Sequence, residues 1–140
     1  TEEDANRFKK LTSILVKQYD SIIVLGDEHA NGKFTLGENI ADHGGLRVSY
    51  TAFKKTQQGR SEEKTDGFTP DQRFFLSYAG VWAGNIRDAE ILRRTKTDPH
   101  SLGRWRVNAA LKNIEPFFKA FNIKEGDPMF LAPAERVTIW

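Results

Sequence analysis

Apolar residues return every three or four positions along the start of the chain. Phe8, Leu11, Ile14, Leu15 and Tyr19 share one face of a helix that runs to about Asp20. Thr1-Glu2-Glu3-Asp4 opens that helix with a capping hydroxyl and acidic groups in the first turn, where the helix dipole favours them. Ser21 to Lys33 breaks the period with Gly26-Asp27 and Asn31-Gly32, so it reads as a loop in which Ile22 to Leu25 can form a short strand. Helical spacing resumes through Ala41, Leu46, Tyr50 and Phe53 to about Gln57, and Thr35-Leu36-Gly37-Glu38 has the form of a capping box.

The stretch Gln58 to Phe68 is polar, with Gly59 and Gly67, and reads as an exposed loop. Thr69-Pro70-Asp71-Gln72 then starts a helix: a cap hydroxyl, proline at the first helical position, and a glutamine to close the box. Phe74, Phe75, Tyr78, Val81 and Trp82 form its broad apolar face. Asp88 is placed to cap a short helix through Arg94, which Asp98-Pro99 stops because proline disfavours helical geometry just before it. Ser101 can cap a helix through Trp105, Val107 and Leu111, and Asn113 another through Phe117, Phe118 and Phe121. The apolar tail from Met129 carries Pro133 and ends on Trp140, expected to be tucked in. There is no internal repeat. The fold class is mainly α, an irregular lobe of several amphipathic helices and long loops.

Composition narrows the chemistry. The 140 residues suit one domain or one lobe of a larger one, with 29% charged and 39% hydrophobic residues. The net charge is +2, with 21 basic residues interspersed among 19 acidic ones, so no basic face for nucleic acid is expected. With no cysteine, a disulfide framework, a thiolate metal site and a cysteine nucleophile are excluded. No apolar run approaches the roughly 20 residues that span a bilayer, and no membrane contact is expected of this segment.

Glu38 and Asp42 stand four apart, on one face of the second helix, where two carboxylates repel unless a cation lies near. A capping residue beside a surface charge is the plain alternative. Gly44-Gly45 within the same helix suggests that another backbone approaches closely there. The histidines, His29, His43 and His100, include no HxxxH pair, so motifs within this chain do not complete a three-ligand zinc site. His100 and Arg106, if they converge on a cleft, can stabilise an oxyanion and grip a peptide carbonyl. A loop imidazole and a snorkelling arginine are the alternative. Val81 and Trp82 either belong to the core or form a pocket wall.

Taken in order, several stretches resemble the neprilysin/PepO-like family of zinc metallopeptidases, the gluzincin group. They are Asn31-Gly32, then Thr35-Leu36-Gly37-Glu38-Asn39-Ile40-Ala41-Asp42 with Gly44-Gly45-Leu46. Phe74-Phe75-Leu76 follows, leading to Val81-Trp82, and then Lys96-Thr97-Asp98-Pro99-His100-Ser101 with Arg106-Val107-Asn108. Last come Phe117, Ala120-Phe121 and the terminal Trp140. The resemblance covers essentially the whole chain. It implies that Glu38 is the third ligand of a Zn2+ ion and that Asp42 orients a zinc-binding histidine. It further implies that His100 stabilises the tetrahedral intermediate and that Arg106 hydrogen-bonds the substrate backbone. Val81 and Trp82 would line the pocket for the side chain after the scissile bond.

The resemblance also implies a setting. The chain is expected to be the C-terminal portion, residues 1–140, of a thermolysin-like catalytic domain that hydrolyses peptide bonds in oligopeptides. Two ligands and the general base would come from an HExxH helix upstream in the same polypeptide, so this segment alone is expected neither to hold zinc tightly nor to cleave peptides. Family members commonly carry Asn or Leu where this chain has His43. The ending Arg136-Val137-Thr138-Ile139-Trp140 and the missing cysteines point to a bacterial member, in the cell envelope, the periplasm or secreted.

Overall fold

In the computed structural model, which describes residues 1–139, the chain is mostly helical. In order it forms α1 (Glu2–Asp20), β1 (Ile23–Leu25), β2 (Glu28–His29), α2 (Leu36–Lys55) and α3 (Gln57–Arg60). Then come α4 (Pro70–Val81), α5 (Asp88–Thr97), α6 (Gly103–Leu111), α7 (Glu115–Phe121) and a 3-10 turn at Pro133–Glu135. Two helices begin as their local sequence dictates. Thr1 and Asp4 exchange a reciprocal box at the start of α1, and Thr69 and Gln72 do the same for α4, with Pro70 in its first turn.

Between α1 and α2 the expected short strand pairs with a second one. Ile23 faces His29 and Leu25 faces Glu28 in an antiparallel hairpin, and Gly26 turns it at φ +55°. The segment expected to be an exposed loop from Gln58 begins instead as α3, in which Gly59 is buried and Thr56 caps the turn through the Gly59 amide. α5 starts at Arg87 rather than by an Asp88 cap, Asp88 being its first residue, and it runs to Thr97 before Asp98-Pro99 ends it. No described helix is long and apolar enough to cross a membrane. Trp140 lies outside the described residues.

α2 joins two apolar clusters. Toward its start, Leu36 and Ile40 pack against Leu15 and Tyr19 of α1 and against Val137 of the tail. Toward its end, Leu46 and Tyr50 pack against Phe75, Val107, Leu111, Ile114, Phe117 and Phe118. The aromatic residues interlock: Tyr50 stacks on Phe75 at 5.3 Å, and Phe75 meets Phe117 edge-on at 5.6 Å. The expected close approach at the glycine pair is not found at Gly45, which is exposed and has nothing within 4 Å of a Cβ position. Gly44 is buried.

His43 sits between the two clusters, 4% exposed, with Nε2 3.4 Å from the Tyr19 hydroxyl and Nδ1 without a hydrogen-bond partner among the described residues. Burial, and secondarily the neighbouring Arg47 guanidinium, lower its pKa to about 4. Between that value and its ordinary 6.5 the unfolded chain binds the proton and the folded chain does not. Stability from this group is therefore fully present above pH 6.5 and is lost as the pH falls toward 4, by up to about 3 kcal/mol. His43→Leu is expected to flatten that acid-side loss while giving up the Tyr19 contact, about 1 kcal/mol at pH 7. Denaturant titrations at pH 4 to 7 check this; parallel pH slopes for the two proteins refute it.

Candidate functional site

The first turn of α2 is held by side chains of the capping type that cap no helix. The Thr35 hydroxyl donates to the Asn31 carbonyl at 3.0 Å and accepts from Asn39 Nδ2 at 2.9 Å, so it makes no capping box with Glu38. Asn39, fully buried, in turn accepts from the Ser101 hydroxyl at 2.7 Å. Ser101 is therefore not the cap of α6, which begins after Leu102 without a side-chain cap. The result is a relay that starts at the exposed Asn31 and runs through buried Thr35 and Asn39 to buried Ser101, fastening the loop before α6 onto the first turn of α2.

That fastening sets His100 beside Glu38. His100 Nε2 lies 3.2 Å from Glu38 Oε2, and Nδ1 lies 2.7 Å from Asp98 Oδ1. Both ring nitrogens face carboxylate oxygens. Asp98 also accepts the His100 backbone N–H at 3.0 Å and the Arg94 Nε–H at 3.0 Å. The His100 backbone N–H first, then the imidazole and Arg94, depress the Asp98 pKa to about 2. Asp98 thus remains an anion across the working pH range and orients the ring.

Arg106 comes from the second turn of α6 and meets Asp42 edge to edge. Its Nε donates to Asp42 Oδ2 at 2.7 Å and its Nη2 to Asp42 Oδ1 at 2.6 Å, with the two side chains 14% and 10% exposed. The same Nη2 stands 4.0 Å from Glu38 Oε2. Those Asp42 hydrogen bonds raise the Arg106 pKa above its ordinary value. The Tyr78 hydroxyl donates to the Arg106 carbonyl at 3.0 Å, and the guanidinium lies 3.9 Å over the centre of the Trp82 ring. A cation that reconciles Glu38 with Asp42 is therefore supplied by this chain, the Arg106 guanidinium.

Glu38, Asp42, His100, Arg106 and Trp82 are thus brought together from α2, α4, α6 and the loop before α6. Val81 is not part of that knot. It is 72% exposed and lines an open groove of about 500 Å³ with Ser49, Phe53, Phe74, Ser77 and Tyr78. Trp82 is absent from that lining. The sequence reading missed three features: the orienting role of Asp98, the Asp42–Arg106 pair, and the Asn39–Ser101 link. Asp98 could have been found from its position two residues before His100, where an Asp side chain readily accepts the backbone N–H. The other two span 64 and 62 residues and leave no local signal.

Among the described residues no three His, Cys, Asp or Glu side chains gather as a metal site. What the chain offers a metal is Glu38, a carboxylate with a half-exposed side chain whose contacts with His100 and Arg106 both use Oε2. That donor fits one position of a zinc site and no more.

Comparison with known proteins gives a consistent picture. The sequence profile described as Peptidase family M13 matches residues 1–137. Neprilysin-2 of Caenorhabditis elegans is 39% identical over 141 residues, covering 96% of this chain and 19% of that protein. Human neprilysin is 34% identical over 145 residues, covering 100% and 19%. Among solved structures, the Mycobacterium tuberculosis zinc metalloprotease ZMP1 in complex with an inhibitor matches with a TM-score of 0.95 at 37% identity. That match covers 100% of this chain and 22% of the other. The chain thus spans about a fifth of the length of these relatives.

Proposed function

This chain belongs to peptidase family M13, and on that footing we propose that it is the C-terminal part of a zinc metallopeptidase that hydrolyses peptide bonds in oligopeptides. The observation that carries the proposal is the setting of Glu38, with the His100 imidazole at 3.2 Å and the Asp42-held Arg106 guanidinium at 4.0 Å. Zinc, when bound, supplies a Lewis acid that lowers the pKa of water and polarises a carbonyl.

In this reading Glu38 is the third protein ligand, and two histidines and the general base come from an HExxH helix upstream. His100 donates from Nε2 to the oxygen on which charge develops, while Asp98 holds Nδ1 and keeps the ring in place. Arg106 offers the N–H groups not bound to Asp42 to a carbonyl of the substrate backbone. Asp42 braces Arg106 and retains lone pairs with which to orient a zinc-binding histidine. Val81, exposed at the end of α4, and Trp82 wall the position of the side chain after the scissile bond. Residues 1–140 alone hold one proposed ligand, so we expect the isolated segment to be inactive. Animal and bacterial proteins both appear among the relatives.

Arg106 provides the test. In the intact, zinc-loaded protein, Arg106→Ala is expected to raise KM for oligopeptides while metal content stays unchanged, because the guanidinium grips the substrate in the ground and transition states alike. A wild-type KM in the variant would remove Arg106 from the substrate site.

A further inference from the structure

Arg106 is held on three sides, and only one of them is electrostatic pairing with a carboxylate. Asp42 takes Nε and Nη2 along one edge of the guanidinium. The Tyr78 hydroxyl pins the Arg106 carbonyl, fixing the helix backbone at that residue. The flat face of the guanidinium rests 3.9 Å from the centre of the Trp82 ring, well inside the reach of a cation–π contact. Rotation about the long side chain would lift the guanidinium off the ring or break the paired bonds to Asp42. With both intact, the remaining N–H groups keep a single direction.

The ring is itself set in place by the backbone. Trp82 closes α4, with its N–H on the Ala79 and Gly80 carbonyls. α6 begins directly against it: a Cβ at Gly103 would lie 2.7 Å from the Trp82 carbonyl oxygen and 3.6 Å from the Trp82 Cβ. No residue larger than glycine fits there without moving one helix away from the other. Gly103 and Arg106 are one turn apart on the same face of α6, so the contact that seats the helix on Trp82 also sets the guanidinium over the indole.

We propose that Trp82 acts as a positioning residue for Arg106, a platform under the guanidinium that aims its free N–H groups at the substrate, with Gly103 setting the distance between the two. This role is additional to that of a pocket wall: through it Trp82 acts on the backbone-binding cation, whatever the size of the substrate side chain. The inference rests on the reading of Arg106 as the substrate-gripping group.

A double-mutant cycle in the intact, zinc-loaded protein tests it, with a matched set of oligopeptides carrying a large or a small side chain after the scissile bond. Trp82→Leu is expected to raise KM between a few-fold and about 30-fold for every peptide in the set, with zinc content unchanged. In the Arg106→Ala background the same substitution is expected to add no loss common to the whole set. Trp82→Phe keeps an aromatic face and most of the packing, so it should recover much of the loss; its smaller residual rise in KM, absent in the Arg106→Ala background, carries the cycle should Trp82→Leu fail to fold. A residue that is a pocket wall and nothing more behaves differently: replacing it changes only the preference between large and small side chains, equally in both backgrounds, and that outcome overturns the proposal. An unchanged KM for Arg106→Ala alone would sink the substrate-gripping reading first and this inference with it. Additive effects beside a clear Arg106 effect would sink this inference only.

Discussion

Glu38→Ala in the intact protein is expected to remove most of the bound zinc and nearly all peptide hydrolysis, while leaving the fold in place. The two halves of that result come from the same geometry. Glu38 makes no capping bond, and its side chain is 42% exposed, so its loss should change stability by no more than about 0.5 kcal/mol. As the one carboxylate placed to serve as ligand, it should nonetheless dominate metal retention. Elemental analysis after dialysis, alongside thermal unfolding, reads both quantities. Wild-type zinc content in the variant would return Glu38 to the status of a surface residue. Asp42→Ala should behave differently. It weakens metal affinity or activity about 10- to 100-fold, the scale for groups that orient a ligand, and also raises KM, because Arg106 loses its paired acceptor.

His100→Ala is expected to lower kcat by about 10²- to 10³-fold with metal content and KM little changed, since an oxyanion donor matters when charge develops. Asp98 gives this prediction a second arm. It touches the ring at Nδ1, and its low pKa keeps it charged across any pH at which the enzyme would be assayed. Asp98→Asn should therefore reduce kcat without introducing a new inflection near pH 4, and should have no further effect once His100 is already alanine. If the two losses multiply, Asp98 acts on something other than the imidazole. If His100→Ala retains wild-type kcat, the imidazole is a loop residue that happens to face a glutamate.

What could be read from the sequence follows the range of the forces involved. The caps of α1 and α4 were legible because donor and acceptor lie three residues apart, so the motif contains both partners. The caps assigned to Thr35, Ser101 and Asn113 failed because each side chain found other partners, Thr35 four residues away on either side and Ser101 and Asn113 across the fold. Thr35 joined Asn31 and Asn39, Ser101 joined Asn39, and Asn113 accepts the Val137 amide while donating to Gln18 and the Ala109 carbonyl. α7 accordingly starts after Ile114 without a side-chain cap. Such side chains are ambivalent between local and distant acceptors, and spacing alone does not reveal which wins. The candidate site divides in the same way. Glu38, His100 and Arg106 stood out through their motifs, and the structure gathers them. The pairing of Arg106 with Asp42 and its seating on Trp82 needed coordinates, because they join α2, α4 and α6 through contacts that leave no periodic trace.

The relay from Ser101 through Asn39 to Thr35 has a mechanical consequence. It crosslinks the loop bearing His100 to the very turn that bears Glu38, and it does so in the dry interior, where solvent does not compete for the bonds. Carboxylate and imidazole therefore share one frame of reference. A displacement of either element carries the other with it, so the spacing between Glu38 and His100 is set within this chain and does not depend on what surrounds it.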